Sequence, residues 1–124
     1  MESALSLIGL LAWLQVKHFV ADYLLQTHWI LRGKGSLRHP GGYAHATIHA
    51  AGTIPGLASF GLDSTTVAVL TLSELLVHFL IDHFKAIHSH NRPAAVTSRA
   101  FWAAHGGDQL LHQLTYVGIL ALAI

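Results

Sequence analysis

The stretch Glu74–Lys85, ELLVHFLIDHFK, decides the architecture. At about 100° per residue, Glu74, His78, Asp82 and Lys85 fall within about 80° of one another on a helix. The rest of that predicted helix, from about Thr65 to Ile87, is Val, Leu, Ile, Phe and Ala, apart from small hydroxyls and His83. A helix of a water-soluble bundle carries an apolar stripe and a charged outer face. Here the stripe is polar and the outer face is apolar, the pattern of a membrane helix turned toward a functional interior.

A second stretch repeats it. Gln15, His18, Asp22 and Gln26 form one polar stripe in an otherwise apolar run. Composition agrees: 52% of the residues are hydrophobic and only 10% are charged, against about 25% charged in an average soluble domain. The 124 residues suit one domain, taken as 1–124. With no cysteine, disulfides and thiolate metal sites are excluded. A net charge of +1 gives no argument for nucleic acid, and none is expected as a partner. The opening MESALSLIGLLAWLQ lacks a basic n-region, so no signal peptide is expected there. The unusual number is eleven histidines.

Four apolar stretches predict helices over about 5–31, 40–60, 65–87 and 98–124. Pro40 suits a first helical turn, and Pro55-Gly56 is expected to kink the second helix. The fold expected is all-α, an integral membrane four-helix bundle. Arg32, Lys34 and Arg38 lie in the first connection, and Lys85, Arg92 and Arg99 lie in or beside the third; the middle turn has Asp63 and no cation. By the bias of Lys and Arg toward the cytoplasm, both termini face the periplasm or exterior. Lys17 points away from the first polar stripe, and is read as snorkelling to the outer interface, in preference to a contact with Glu74.

Each helix carries one pair of polar residues four apart: His18/Asp22, His45/His49, His78/Asp82 and Asp108/His112. The order reads as two tandem helical hairpins, related by a pseudo-twofold axis along the membrane normal. In an antiparallel bundle the pairs reach comparable depth, in the cytoplasmic half. His18, His49, His78 and His112 form a deeper layer, and Asp22, His45, Asp82 and Asp108 a shallower one. Imidazole and carboxylate groups converging from four helices are what a metal site in a bundle core requires. Nitrogen and oxygen ligands suit a divalent ion, zinc first, with iron or manganese as alternatives. Eight candidate ligands are enough for one ion or two, or for one ion with groups that orient its ligands. Gln26, Lys85 and Gln109 flank the cluster on its cytoplasmic side. His28, His39, His83, His88, His90 and His105 fall near helix ends or in loops and are read as interfacial or solvated.

The segments HFVADYLLQTHW (18–29), a basic loop, His49, VHFLIDHFKA (77–86) and DQLLHQL (108–114) resemble a bacterial membrane family known as domain of unknown function 3307. The resemblance covers nearly the whole chain; His45 lies outside the segments that carry it. It implies a small multi-helix protein of the bacterial inner membrane and implies no activity. More distantly, the layout is similar to membrane-bound metal-dependent hydrolases, including a ceramidase-like group with His and Asp ligands on transmembrane helices.

The activity expected first is metal-dependent hydrolysis of an amphiphilic substrate at the cytoplasmic leaflet. Asp108 would serve as general base, and Lys85 would stabilise developing negative charge. The alternatives are transport of metal or protons, metal storage, non-haem iron oxidation of lipids, and a structural protein stapled by its metal. The sequence sets no oligomeric state, and a homo-oligomer is open to it.

Overall fold

The computed structural model describes residues 3–124, whose regular elements are all helices, with no strand among them. Helix α1 spans Ala4–Phe19 and passes into a π-helical turn over Val20–Leu24. A short helix, α2, covers His28–Gly33. Helix α3 covers Gly41–Ser59, α4 Ser64–Asn91 and α5 Arg99–Ala123. Two stretches, Ala4–Leu24 and Ser64–Asn91, are long and apolar enough to cross a membrane.

Side-chain caps set most of the starts. Ser3, Thr27, Asp63 and Ser98 each accept a hydrogen bond from a backbone N–H three residues on, satisfying a donor that the first turn leaves free. Asp63 also accepts from the Thr66 hydroxyl, and the Thr66 hydrogen bonds hold its exposed carboxyl below its ordinary pKa. Ser98 begins α5 ten residues before Asp108, so Asp108 lies in a helix interior rather than at a cap.

The first predicted helix is corrected. The expected continuous helix over 5–31 ends at the π turn, where the Leu25 N–H reaches the Val20 carbonyl at 3.0 Å. Gln26 turns its side-chain amide back onto the Asp22 carbonyl, and Thr27 caps a new helix. The apolar pattern continues through this break, so periodicity alone cannot reveal it. The other boundaries differ modestly: α3 occupies 41–59, and α4 runs a turn beyond residue 87. Pro55 lies inside α3, where it supplies no N–H to the preceding turn.

The four long helices pack in a ring: α1 lies against α3 and α5, α3 against α4, and α4 against α5. Helix α2 folds back on the start of α3, because glycines permit a close approach. A Cβ on Gly41 would sit 2.6 Å from the Trp29 carbonyl oxygen, and one on Gly33 would sit 2.7 Å from the Gly41 Cα. The interior is layered along the helices. At one end Leu10, Leu14, Leu57, Phe60, Leu70 and Ile119 form an apolar core. Beyond it comes a buried ion pair between Lys17 and Glu74. Beyond that lie the buried histidines.

Lys17 therefore does not snorkel outward. Its aliphatic stem runs along α3, with its Cδ 3.4 Å from where a Cβ on Gly52 would stand. Its ammonium donates to Glu74 and to the His49 carbonyl, and lies 4.7 Å from the centre of the Tyr116 ring. The missing side chain at Gly52 opens this path between α1 and α3. Removing one partner of a buried pair strands the other charge, at a cost of about 3–5 kcal/mol, whereas replacing both by apolar groups costs far less. Glu74→Leu alone is thus expected to destabilise strongly, and Lys17→Met with Glu74→Leu to recover most of the loss. Unfolding in mild detergent, followed by circular dichroism, measures both; a double variant as unstable as the sum of its single variants would contradict the pairing.

Candidate metal centre

Five imidazoles from all four long helices converge on two carboxylates. The π turn presents Asp22, whose Oδ1 lies 3.0 Å from His45 Nε2 and 2.8 Å from His49 Nε2. Its Oδ2 lies 3.1 Å from His18 Nε2, across one turn of helix. Asp82 on α4 faces it: Oδ1 is 3.2 Å from His112 Nε2, and Oδ2 is 3.2 Å from His78 Nε2 and 3.5 Å from His45 Nε2. All five histidines are buried, and every one presents Nε2 to a carboxylate. The rings of His18, His49, His78 and His112 form a closed circuit, with neighbouring centroids 5.3, 3.8, 4.3 and 5.6 Å apart. The structure thus brings together His18, His49, His78 and His112 as one layer, with His45 and the carboxylates beside it.

Two sets of ligand atoms are tight enough to hold a cation. Asp22, His45, His49 and His78 form one, and His78, Asp82 and His112 the other; within each, the atoms lie within 4.8 Å of one another. A tetrahedral ion with bonds of about 2.0–2.2 Å joins nitrogen and oxygen ligands on this scale. His78 belongs to both sets, and its Nε2 is buried with no hydrogen-bond partner. Its 3.2 Å approach to Asp82 is short, but misaligned for a hydrogen bond. A buried imidazole nitrogen without a partner, surrounded by anionic oxygens and further imidazoles, fits a divalent ion. These N and O donors, with no sulfur, suit zinc, iron or manganese.

The remaining expected residues stand around these sets. His18 belongs to neither; its Nδ1 is 2.7 Å from the Tyr116 hydroxyl, and its Nε2 is 2.9 Å from Gln109 Oε1 as well as near Asp22. It orients Asp22 while Tyr116 orients it, the support that ligating groups need. Asp108 also lies outside both sets. Its Oδ1 is 3.5 Å from His112 Nε2 and has no hydrogen-bond partner, while Oδ2 accepts from Gln109. Lys85 lines a pocket of about 200 Å³ that reaches Asp22, Asp82 and Asp108 from one end of the helix ring.

Lys34 was legible only as a charge in a basic loop, yet its ammonium lies 3.0 Å from Asp82 Oδ2. The fold of α2 puts it there, and His83 secures that fold. His83 is buried, not solvated as expected, with Nδ1 3.1 Å from the Lys34 carbonyl oxygen. Of the other peripheral histidines, His28, His88 and His90 are exposed, while His39 accepts from the Gly41 N–H in the turn before α3. Tyr116 was missed because it reads as an ordinary aromatic in an apolar run.

Fold and site together define a small all-helical protein with a buried His–Asp cluster that can hold a metal ion and that meets an open pocket. Residues 10–124 match the family described as protein of unknown function (DUF3307), and the chain belongs to that family. The match takes in every residue of the cluster. No curated protein and no solved structure matches the chain, so the likeness to metal-dependent hydrolases draws no support from a relative.

The geometry ranks the residues. His78→Ala is expected to abolish metal retention, since it removes the residue that the two sets share. Tyr116→Phe, which removes only the group behind His18, is expected to weaken affinity by roughly tenfold. His105→Ala, in the pocket wall, should leave affinity unchanged. Competition titration against a chelator, on folded variants, reads all three; equal affinity across the series would contradict the assignment.

Proposed function

We propose that this chain is a four-helix integral membrane protein of the bacterial inner membrane that hydrolyses an amphiphilic substrate at the cytoplasmic leaflet with a divalent metal ion, zinc first among the candidates. The observation that carries the reading is the combination of a buried His–Asp cluster with a pocket that reaches its carboxylates from one end.

The membrane part rests on the inside-out distribution of polarity. The five histidines of the cluster, Lys17, Glu74 and Asp82 are buried, while Ile8, Val16, Val69, Leu72, Leu76, Leu114, Val117 and Leu122 are more than half exposed along the outer faces. Apolar surface this continuous calls for lipid or a partner. Helix α5, at about 1.5 Å per residue, is also long enough to span a hydrocarbon core of about 30 Å. Arg32, Lys34, Arg38, Arg92 and Arg99 lie toward the end where the pocket opens, and the bias of Lys and Arg toward the cytoplasm supports a reading with that end inside and both termini outside.

Hydrolysis is favoured over passage through the protein because the interior closes on one side. Past the Lys17–Glu74 pair, Leu10, Leu14, Leu57, Phe60 and Leu70 fill the ring with apolar side chains. A site open at one end and sealed at the other suits a substrate that arrives and leaves by the same route.

Asp22, His45, His49 and His78, or His78, Asp82 and His112, would hold the ion. When bound, it supplies Lewis acidity, activating water near neutral pH and polarising an ester, amide or phosphoester oxygen. Asp108 has a buried carboxylate oxygen without a partner beside His112, and lines the pocket, which suits it to take a proton from the attacking water. Lys34 and Lys85 bring positive charge to the same pocket, where negative charge develops on the substrate.

Asp108→Asn is expected to lower turnover by roughly 10²–10⁴-fold while leaving metal content intact. Assays against a panel of amphiphilic esters, amides and phosphoesters test this. Full activity of metal-loaded protein after His78→Ala and Asp82→Ala would rule the reading out. Topology has its own test, helped by the absence of native cysteine. Ser36→Cys and Ala95→Cys should react with an impermeant thiol reagent only from the cytoplasmic side, and Gly61→Cys only from the outside; the reverse pattern would invert the orientation.

A further inference from the structure

A second opening meets the same site from the side. Between the outer faces of α4 and α5 runs a groove of about 420 Å³. Leu80, Phe84 and Leu111 wall it, and all three are substantially exposed. Ala104 and Gly107 form part of its α5 side, and a Cβ added to Gly107 would meet nothing within 4 Å. Its other lining residues are apolar apart from His88, Lys85 and Asp108, and the last two also line the carboxylate pocket. The Asp108 side chain is 9% exposed, and its Oδ1 has no partner.

We infer that the α4–α5 groove is the lateral entry for a substrate with one acyl chain and an anionic headgroup, the chain lying between Leu80, Phe84 and Leu111 and the headgroup passing Lys85 into the carboxylate pocket. The shape matches the ligand: a largely apolar groove on the outer faces of α4 and α5 shares Lys85 and Asp108 with the pocket that reaches the buried carboxylates. Lys34 in the same pocket is paired with Asp82, so Lys85 is the cation left to meet an anionic headgroup beside the carboxylates of Asp22, Asp82 and Asp108. An acyl chain stays in the groove, in contact with the bilayer, so only the headgroup leaves lipid. This inference deepens the proposed hydrolytic reading and rests on it for the fate of the headgroup.

The test uses the full chain in lipid nanodiscs and a lysophosphatidylglycerol carrying a photoactivatable diazirine in its acyl chain. Crosslinks mapped by mass spectrometry are expected to concentrate on the groove faces of α4 and α5, and to saturate. Unlabelled lysophosphatidylglycerol should compete at least tenfold better than lysophosphatidylcholine. Gly107→Leu fills open space with a better helix former, so it should fold and lose groove labelling while keeping its metal. Lys85→Ala should retain labelling and lose the headgroup preference. Labelling spread evenly over all outer helix faces, or unchanged by Gly107→Leu, would overturn the inference. Turnover with no groove labelling sinks only the lateral entry. Groove labelling with no turnover sinks only the hydrolysis and leaves the amphiphile site standing.

Discussion

Everything in this fold is arranged around two buried carboxylates. Asp22 and Asp82 each meet two or more imidazoles within 3.2 Å, and His45 stands between them. An unpaired carboxylate in such a place costs several kcal/mol, so the surrounding rings are a condition of the fold as well as groups that could hold a metal ion. Each long helix contributes, and no two of them complete the cluster. The Lys17–Glu74 pair closes the polar layer on one side: the ammonium meets Glu74 Oε1, while Oε2 is buried without a hydrogen-bond partner, and the apolar core lies beyond.

The same arrangement explains the outer surface. With polar residues committed to the interior, the outward faces are left to Leu, Ile, Val and Phe. A polar interior without a low-dielectric exterior would have little reason to exclude water; a greasy exterior without the polar interior would leave the helices with little to select one register. Hydrogen bonds between helices, such as Gln15 to Gln113 at 2.6 Å, and the His–Asp contacts fix that register.

Much of the cluster was legible because helical periodicity is a strong constraint. His18/Asp22, His45/His49, His78/Asp82 and Asp108/His112 are each four apart, and the antiparallel order puts them at one level. Three things were not legible, for distinct reasons. The π turn at Val20–Leu24 leaves the apolar pattern intact while changing the backbone, so the first helix reads as continuous until Gln26 and Thr27 are seen to end it. Lys34 reaches Asp82 only because α2 doubles back on Gly33 and Gly41, a tertiary approach that a loop sequence does not encode by spacing. Lys17 lies off the polar stripe, and finds Glu74 through the gap at Gly52, which belongs to another helix. The single-helix angle was right and the conclusion of snorkelling wrong, because direction on one helix says nothing of the space left by its neighbour.

The buried His–Asp cluster is proposed to be a divalent metal site. X-ray absorption at the metal edge, on protein purified without chelator, addresses it most directly. One or two ions per chain are expected, with a nitrogen and oxygen shell at about 2.0–2.2 Å and the outer-shell scattering of several imidazoles. A protein that is folded yet metal-free, or an ion whose shell is water without imidazole, would contradict it.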